Sequence, residues 1–347
     1  MAENENRTPE TFRLFSSSAS NVSSGFGFFD TPESPVPPPP PSVEVLSSEA
    51  SSSVKFNVEP VNFDGLTLLK GRVSTREVFA LSNSDLVPGK YEGGLKLWEG
   101  SLDLVKALRS EVGNEHLTLT GKRVLELGCG HGLPGIFACL EGAAAVHFQD
   151  FNAEVLKCLT IPNVNANLQK KIQNSKTGVT DSEAATEVRF FAGDWSEIDK
   201  LLPYVRDSKK ELDCSTENCS VDGYDTILMA ETVYSVTVFQ RLYELIKKCM
   251  SYPHGVVYMA AKKHYFGVGG GTRQFLSMVE KDGLMAYSLV SEVTDGSSNV
   301  REVWKLSFKY VSHRGSPSYF SRGLISYRAS LSSPREFARC LQNPWKA

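Results

Sequence analysis

The sequence is poor in cysteine and contains no CxxC pair. Its 347 residues include seven cysteines, a low and odd number. We therefore expect no disulfide framework, and we expect the protein to reside in a reducing compartment. Cys214 and Cys219 share one polar stretch without a histidine or a second cysteine pair. We expect these to be unpaired loop thiols, and we expect no metal site.

Long apolar runs and an excess of basic charge are also missing. The first ten residues, MAENENRTPE, lack the apolar stretch of a secretory signal, and no run approaches the ~20 residues of a membrane span. The formal net charge of -3 gives no overall basic field for nucleic acid, although a local basic patch stays open. We expect a monomer of the cytoplasm and nucleus that requires neither a membrane nor nucleic acid.

The composition divides the chain into three parts. Residues 1–53 are rich in serine and proline and cannot bury enough apolar surface to fold, so we predict a disordered tail. Residues 54–310 are predicted to form one folded domain. Residues 311–347 are rich in serine and arginine and form a tail to which we assign no structure. Two polar stretches, 170–186 and 207–222, are predicted surface insertions.

Within the domain, strand and helix patterns alternate, which is typical of a parallel α/β sheet. Predicted strands lie at 124–127, 145–149, 188–191, 226–230, 256–261, 285–289 and 303–308. Shorter ones at 54–58, 66–69 and 78–81 would form a small N-terminal β extension. Predicted helices lie at 133–140, 153–167, 236–250 and 272–282, and one more begins with Ser101 as its N-cap. Thr272 is predicted to cap the last helix, and Gly283 to end it.

A glycine-rich stretch follows the first strand of the alternating core. Gly130-His-Gly-Leu-Pro-Gly135 formally matches the dinucleotide fingerprint, but the strand ends at Leu127 and the chain already turns at Gly128. The frame Glu126-x-Gly128-x-Gly130-x-Gly132 suits a loop whose backbone packs against adenosine and methionine, with no pyrophosphate to hold. We therefore favour S-adenosylmethionine as the ligand and keep a nicotinamide cofactor as the alternative.

Three further positions support an adenosine ligand. Asp150 ends the second strand, where a carboxylate accepts hydrogen bonds from ribose hydroxyls. It would serve NAD equally well, and the alternative is an acid placed at a helix N-terminus, where the helix dipole favours a negative charge. Gly193-Asp194-Trp195 follows the third strand and offers an acid to the adenine amino group and an indole to its ring; a tight turn explains it as well. Trp98 supplies a second indole, which could stack on adenine or face a sulfonium. The alternative is that Trp98 is a buried packing residue.

The fourth strand ends in Ala230-Glu-Thr-Val-Tyr234. Reactive groups of α/β sheets lie at this carboxyl edge. Methyl transfer from a sulfonium needs positioning, a dry pocket and an aimed lone pair. Glu231 and Tyr234 are spaced to present a carboxylate and a phenol to the acceptor, so we predict that they are catalytic. Alternatively, Glu231 caps the following helix and Tyr234 is a core residue.

With these motifs placed, the sequence resembles the seven-strand S-adenosylmethionine-dependent methyltransferases, and within them the histidine protein methyltransferases. Three stretches carry the resemblance, at 91–99, 124–136 and 261–275; the third, AKKHYFGVGGGTRQF, is the most specific. The resemblance covers about 54–310. It implies an α/β fold of the seven-strand, Rossmann-like sandwich type and methylation of a histidine ring nitrogen in a protein. It also implies, as the substrate, the large-subunit ribosomal protein numbered three.

The resemblance also places the site residues. Donor contacts are implied at Leu97, Trp98, Glu99, Gly100, Ser101, Gly128, Gln149, Asp150, Phe151, Gly193, Asp194, Trp195 and Ala230. To these the glycine-loop frame adds Glu126 and Gly130. Glu231 is the candidate that accepts the N–H of the acceptor ring, and residues 264–271 are a candidate lid for substrate choice. A protein lysine methyltransferase, a nicotinamide-dependent oxidoreductase and a non-catalytic scaffold remain the alternatives.

Overall fold

A computed structural model describes residues 38–52, 54–81, 86–175, 185–206, 223–294, 296 and 299–309 of the chain. Most of the predicted N-terminal tail, the predicted C-terminal tail and most of the first predicted insertion lie outside these residues. So does all of the second insertion, with Cys214 and Cys219. The first insertion begins inside the described part, where residues 170–175 continue a helix. Within the described residues, no helix combines the length and the apolar character needed to cross a membrane.

The described residues form ten strands and seven α-helices. The strands are β1 (Val43–Val45), β2 (Asn57–Phe63), β3 (Leu66–Arg72), β4 (Arg123–Leu127), β5 (Ala145–Asp150), β6 (Glu187–Ala192), β7 (Thr226–Ala230), β8 (Val256–Lys262), β9 (Met285–Val293) and β10 (Arg301–Phe308). The helices are α1 (Thr75–Phe79), α2 (Glu99–Gly113), α3 (Leu133–Leu140), α4 (Ala153–Val155), α5 (Ile161–Ser175), α6 (Phe239–Cys249) and α7 (Thr272–Asp282). A π-helical turn, Leu156–Thr160, joins α4 to α5, so the helix predicted at 153–167 is interrupted and then runs further than expected.

The main sheet has eight strands in the order β1-β6-β5-β4-β7-β8-β10-β9. Strands β6, β5, β4, β7 and β8 are mutually parallel, whereas β10 is antiparallel to both of its neighbours. Seven of these strands, β4 to β10, confirm the predicted seven-strand, Rossmann-like sandwich, and β1 adds an eighth strand at the edge. The order reverses beside β4, whose neighbours are β5 and β7, and such a switch point is where open α/β sheets hold their ligands.

Alternate residues of β4 show how the layers form. Val124 belongs to a core with side chains of α2, α3 and α5, while Leu125 and Leu127 belong to a core with side chains of α6 and α7. Because strand side chains point alternately to the two faces, one apolar strand can serve both cores. The result is a three-layer sandwich with every residue from Val124 to Leu127 buried.

The N-terminal part departs from the predictions in three places. The β2–β3 hairpin forms the expected small extension, but its first strand runs from Asn57 to Phe63 and not over the predicted 54–58. However, order begins before residue 54, because β1 adds to the edge of β6 and buries Val45. The strand predicted at 78–81 is wrong: α1 ends there at Phe79, and Ala80, whose φ is 54°, is its C-cap. Phe79 packs on Tyr91 with ring centroids 4.6 Å apart, and this tertiary contact outweighs the weak strand pattern.

Two predicted helix caps are also wrong. Helix α2 begins at Glu99 with Trp98 as its N-cap, and the Ser101 hydroxyl donates back to the Trp98 carbonyl at 2.9 Å. Helix α7 has Gly271 as its N-cap, because the Thr272 hydroxyl is engaged by the buried Glu302. The predicted end of α7 at Gly283, in the left-handed conformation, is correct.

Candidate functional site

A cleft of about 820 Å³, partly open to solvent, lies at the carboxyl ends of the central strands. It is lined by Glu92, Gly93, Gly94, Lys96, Trp98, Ser101, Gly128, Cys129, Gly130, His131, Asp150, Phe151, Gly193, Asp194, Trp195, Ala230, Glu231, Thr232, Tyr234, Val238 and Arg241. Most of these residues lie at or just after the ends of β4, β5, β6 and β7 or in the segment that leads into α2, and Arg241 reaches the cleft from α6. The cleft therefore occupies the switch point of the sheet.

Most of the predicted site residues meet at this cleft. Those that line it are Trp98, Ser101, Gly128, Gly130, Asp150, Phe151, Gly193, Asp194, Trp195, Ala230, Glu231 and Tyr234. Five do not line it: Leu97, Glu99, Gly100, Glu126 and Gln149. Two of these five, Gly100 and Gln149, form hydrogen bonds with lining residues.

Asp150 forms the floor of the cleft between two backbone donors. Its Oδ2 accepts from the Gly130 amide at 2.9 Å, and its Oδ1 accepts from the Asn152 amide at 3.1 Å. Burial raises the pKa of Asp150 to about 6, although these backbone hydrogen bonds oppose the shift. The carboxyl group is thus fixed in orientation at the end of β5 and keeps lone pairs for a ligand hydroxyl.

The glycine loop lies against bare backbone of another segment. Gly128 and Gly130 have φ of 61° and 47°, which side-chain-bearing residues rarely adopt. A Cβ on Gly130 would come within 2.9 Å of the Gly94 carbonyl oxygen. A Cβ on Gly94 would in turn approach Asp150 Oδ2 at 3.0 Å. The loop before α2 and the glycine loop can therefore meet only because both lack side chains there.

Glu126, predicted to contact the donor, lies instead beneath the loop. It is fully buried, and its Oε2 accepts from the Gly135 amide at 2.8 Å in the first turn of α3. Desolvation raises the pKa of Glu126 well above its usual range. The amides at a helix N-terminus are the groups that bind a pyrophosphate in dinucleotide sites. Because the Glu126 carboxyl group already accepts a hydrogen bond at this end of α3, a phosphate could bind these amides only by displacing that carboxyl group.

Gln149 joins three segments of the cleft wall without lining it. Its Oε1 accepts from Trp195 Nε1 at 2.8 Å and from the Gly128 amide at 3.3 Å. Its Nε2 donates to the Gly193 carbonyl at 2.9 Å. The resemblance placed Gln149 among the donor contacts, but in the structure it orients the residues that make the wall.

Asp194 is held by its own turn and by one arginine. Its Oδ1 accepts from the Ser196 amide and hydroxyl at 2.9 and 2.7 Å. Its Oδ2 pairs with Arg241 of α6 at 3.1 Å. Arg241 was missed by the sequence analysis, because its position in α6 carries no motif.

Trp98 closes the side of the cleft before α2. Its indole Nε1 donates to the Gly93 carbonyl at 3.0 Å, and the Lys96 ammonium lies 4.6 Å from the ring centroid. The indole is thus fixed by the turn at 93–94 while remaining part of the lining.

Glu231 is held between two elements other than its own. Its Oε1 accepts from the Gly100 amide at 3.1 Å, and its Oε2 accepts from the Tyr265 hydroxyl. It therefore caps α2, and not the helix that follows it, whose turn is capped by Ser235. Glu231 has a φ of 57°, an unusual conformation for a residue with a side chain. Burial raises its pKa to about 7.

Tyr234 reaches across the cleft. Its hydroxyl donates to Glu92 Oε2, while Glu92 Oε1 accepts from the Gly89 amide at 2.9 Å. Burial and the neighbouring carboxylate raise the pKa of Tyr234. The phenol therefore links the segment after β7 to the segment before α2, which makes it more than the core residue of the alternative prediction.

Other lining residues escaped the sequence analysis. Glu92, Gly93, Gly94 and Lys96 lie inside the 91–99 stretch that carried the resemblance, so that stretch was the signal for them. His131 sits within the glycine loop, where burial lowers its pKa to about 3 and keeps it neutral. Cys129, Thr232 and Val238 are neighbours of motif residues and carry no separate signal.

The chain was compared with known proteins. No family model matches it. It is 39% identical over 229 residues to the histidine protein methyltransferase 1 homolog of Dictyostelium discoideum, covering 66% of this chain and 62% of that protein. It is 35% identical over 268 residues to the histidine protein methyltransferase 1 homolog of Bos taurus, covering 75% and 65%. The chain thus spans less than two thirds of the length of these relatives.

A solved structure of a magnesium protoporphyrin IX methyltransferase from Synechocystis PCC 6803, with bound SAM, is 12% identical with a TM-score of 0.37. It matches 61% of this chain and 81% of that one. The fold assignment rests on the strand order described above. Over the part of its length that the sequence comparisons cover, the chain is similar to proteins named histidine protein methyltransferase 1 homolog, which confirms the resemblance that the three sequence stretches carry.

Proposed function

We propose that the protein transfers the methyl group of S-adenosylmethionine to a ring nitrogen of a histidine in a protein substrate. One observation carries the proposal: Asp150, the bare glycine backbone and Glu231 surround a single cleft at the switch point of the sheet. The relationship to proteins named histidine protein methyltransferase 1 supports both the reaction and the acceptor.

The residues present fit this donor. Asp150 is placed to accept hydrogen bonds from ribose hydroxyls, and the backbone at 128–130 allows close approach. Asp194 and Trp195 suit the adenine end, and Trp98 offers an aromatic face to a sulfonium. The Glu126 carboxyl group of β4 occupies the Gly135 amide in the first turn of α3, which disfavours a pyrophosphate there and therefore a nicotinamide dinucleotide.

The acceptor chemistry asks little of the protein beyond placement. When bound, S-adenosylmethionine supplies a methyl group already activated on a sulfonium, so no covalent nucleophile is required. A neutral imidazole has a free lone pair on one nitrogen near physiological pH. The Glu231 carboxylate would accept the N–H of the other nitrogen, which selects the tautomer and stabilises the positive charge that the ring gains.

We further propose, from the family resemblance, that the substrate is the large-subunit ribosomal protein numbered three. We propose that the protein acts as a monomer in the cytoplasm and nucleus. A protein substrate suits a cleft that opens to solvent at the surface.

The test is to incubate the protein with radiolabelled S-adenosylmethionine and a ribosomal extract, and to map the label by peptide sequencing. The expected result is label on a histidine ring nitrogen of one large-subunit protein. Label on lysine would favour the lysine methyltransferase alternative, and label on RNA would refute the protein substrate. Label on a histidine of a different protein would retain the reaction and reject the ribosomal substrate.

A further inference from the structure

The two carboxylate oxygens of Glu231 are each engaged by a protein donor. The Gly100 amide in the first turn of α2 occupies Oε1, and the Tyr265 hydroxyl occupies Oε2. A carboxylate held from both oxygens cannot rotate about its last side-chain bond without losing one of these hydrogen bonds. Each oxygen still has a second lone-pair direction, so the group can accept one more N–H.

Tyr265 is well suited to hold this carboxylate. Its side chain is 7% exposed and packs in the core beneath α6 and α7. Its hydroxyl accepts from the Lys262 amide at 3.4 Å, which directs the single hydroxyl proton toward Glu231.

The loop that carries Tyr265 is fixed at both ends. The Tyr265 amide donates to the Gly270 carbonyl at 3.0 Å, and the Gly269 amide returns to the Tyr265 carbonyl at 3.0 Å. The Gly271 amide donates to Val233, two residues after Glu231, at 2.9 Å. The loop after β8 and the segment after β7 therefore form one hydrogen-bonded unit around the Glu231 carboxylate.

The charges facing Glu231 come from two elements. Lys262 at the end of β8 favours the ionised carboxylate, and Glu99 at the start of α2 opposes it. Burial has the largest effect and raises the pKa of Glu231. The hydrogen bond from the Tyr265 hydroxyl is the largest effect that lowers this pKa. Removing that hydroxyl would leave the burial effect less opposed, so the carboxyl group would keep its proton to a higher pH.

We propose that Tyr265 is a positioning residue for methyl transfer, whose hydroxyl holds Glu231 in the orientation and ionisation state that receives the acceptor ring N–H. This inference rests on the proposed function and extends it to the loop after β8. A carboxylate oriented before the acceptor arrives needs no reorganisation during the reaction.

The test compares the full-length protein with Tyr265→Phe, which removes only the hydroxyl. Tyr243→Phe is the matched control, because the Tyr243 hydroxyl donates to Asp282 at 2.9 Å and Tyr243 does not line the cleft. Methylation of a histidine-containing protein substrate is followed from pH 6 to 9 as kcat and KM separately. The acid limb of kcat should move to higher pH by about one unit in Tyr265→Phe, with kcat near neutral pH reduced about tenfold. Tyr243→Phe should match the wild type.

A second variant and a second measurement keep the inference falsifiable if Tyr265→Phe folds poorly. Replacing Tyr265 by 3,5-difluorotyrosine keeps the ring and strengthens the donor, so the acid limb should move to lower pH. Infrared titration follows the protonated Glu231 carboxyl band, identified by its loss in Glu231→Gln, without any turnover. That band should disappear at higher pH in Tyr265→Phe than in the wild type.

Two results would overturn the inference. One is a Glu231 carboxyl band that titrates at the same pH in all Tyr265 variants. The other is a loss of rate by the same factor at every pH, which a merely structural role would produce. If the wild-type protein methylates no histidine, the proposed function fails, whereas the infrared titration still decides whether Tyr265 controls Glu231.

Discussion

Glu231 combines an unusual backbone conformation with a buried, titrating carboxyl group. Burial, opposed by the hydrogen bond from Tyr265, raises its pKa from 4.5 to about 7. Between these two values the folded protein retains a proton that the unfolded chain has lost. The contribution of this group to stability is therefore fully present below pH 4.5 and is lost as the pH rises through about 7.

Replacing Glu231 by glutamine should remove this pH dependence. The free energy of unfolding of Glu231→Gln minus that of the wild type should increase by about 3 kcal/mol from pH 4.5 to pH 8. The hydrogen bonds that the variant loses shift this difference equally at both pH values and do not affect the increase. Urea unfolding at both pH values measures the difference. Glu280→Gln, on the exposed face of α7, is the control and should show little change. An unchanged difference between wild type and Glu231→Gln at the two pH values would contradict the raised pKa.

Among the elements, β1 shows where composition misleads. Its three residues follow a proline run and lie in a stretch predicted to be disordered, yet they pair with β6 from Val43 opposite Ala192 to Val45 opposite Phe190. Glu44 adds a two-pronged ion pair to Arg189, with both N–O distances at 2.8 Å. Ser42 packs so closely on Gly193 that a Cβ on that glycine would lie 2.3 Å from its hydroxyl oxygen. The segment that carries this strand thus supports the cleft wall at Gly193.

Two valines of β1 allow a matched test of this support. Val45 is 2% exposed and Val43 is 41% exposed. In the full-length protein, Val45→Ala should lower the free energy of unfolding by about 1–2 kcal/mol, because it leaves a cavity in the core, whereas Val43→Ala should cost under about 0.5 kcal/mol. Chemical denaturation of both variants measures this. Equal, small effects would mean that β1 does not dock on β6 in solution.

Elements with a strong local pattern were predicted well. Strand β7 and helices α3 and α7 have the predicted bounds, because apolar periodicity and flanking glycines agree there. The failures, at β1, α1 and the start of α2, are places where a distant contact decides. Glu231 lies 131 positions from the Gly100 amide that it caps, and no local pattern predicts that hydrogen bond.

At the scale of the whole molecule, the sheet topology explains which site residues could be found. Asp150, Gly193 and Glu231 follow three parallel strands, so the alternation of strand and helix already places them at one edge. Glu92 and Arg241 approach that edge from the segment before α2 and from α6, and only the packed structure brings them in. The same packing puts Glu126 under α3, where the formal dinucleotide motif suggested a phosphate.

The choice between a methyl donor and a nicotinamide cofactor therefore depends on the whole fold. Ligand binding tests it without any measurement of enzyme activity. S-adenosylhomocysteine at about 100 times its dissociation constant should stabilise the protein by about 2.7 kcal/mol and raise the melting temperature by several degrees. NAD and NADH at the same concentrations should leave it unchanged, since the Glu126 carboxyl group engages the N-terminus of α3. Asp150→Ala should abolish the response to S-adenosylhomocysteine, while Asp199→Ala, at a surface ion pair with Lys248, should retain it. A shift with NADH and none with S-adenosylhomocysteine would overturn the assignment of the cleft to a methyl donor.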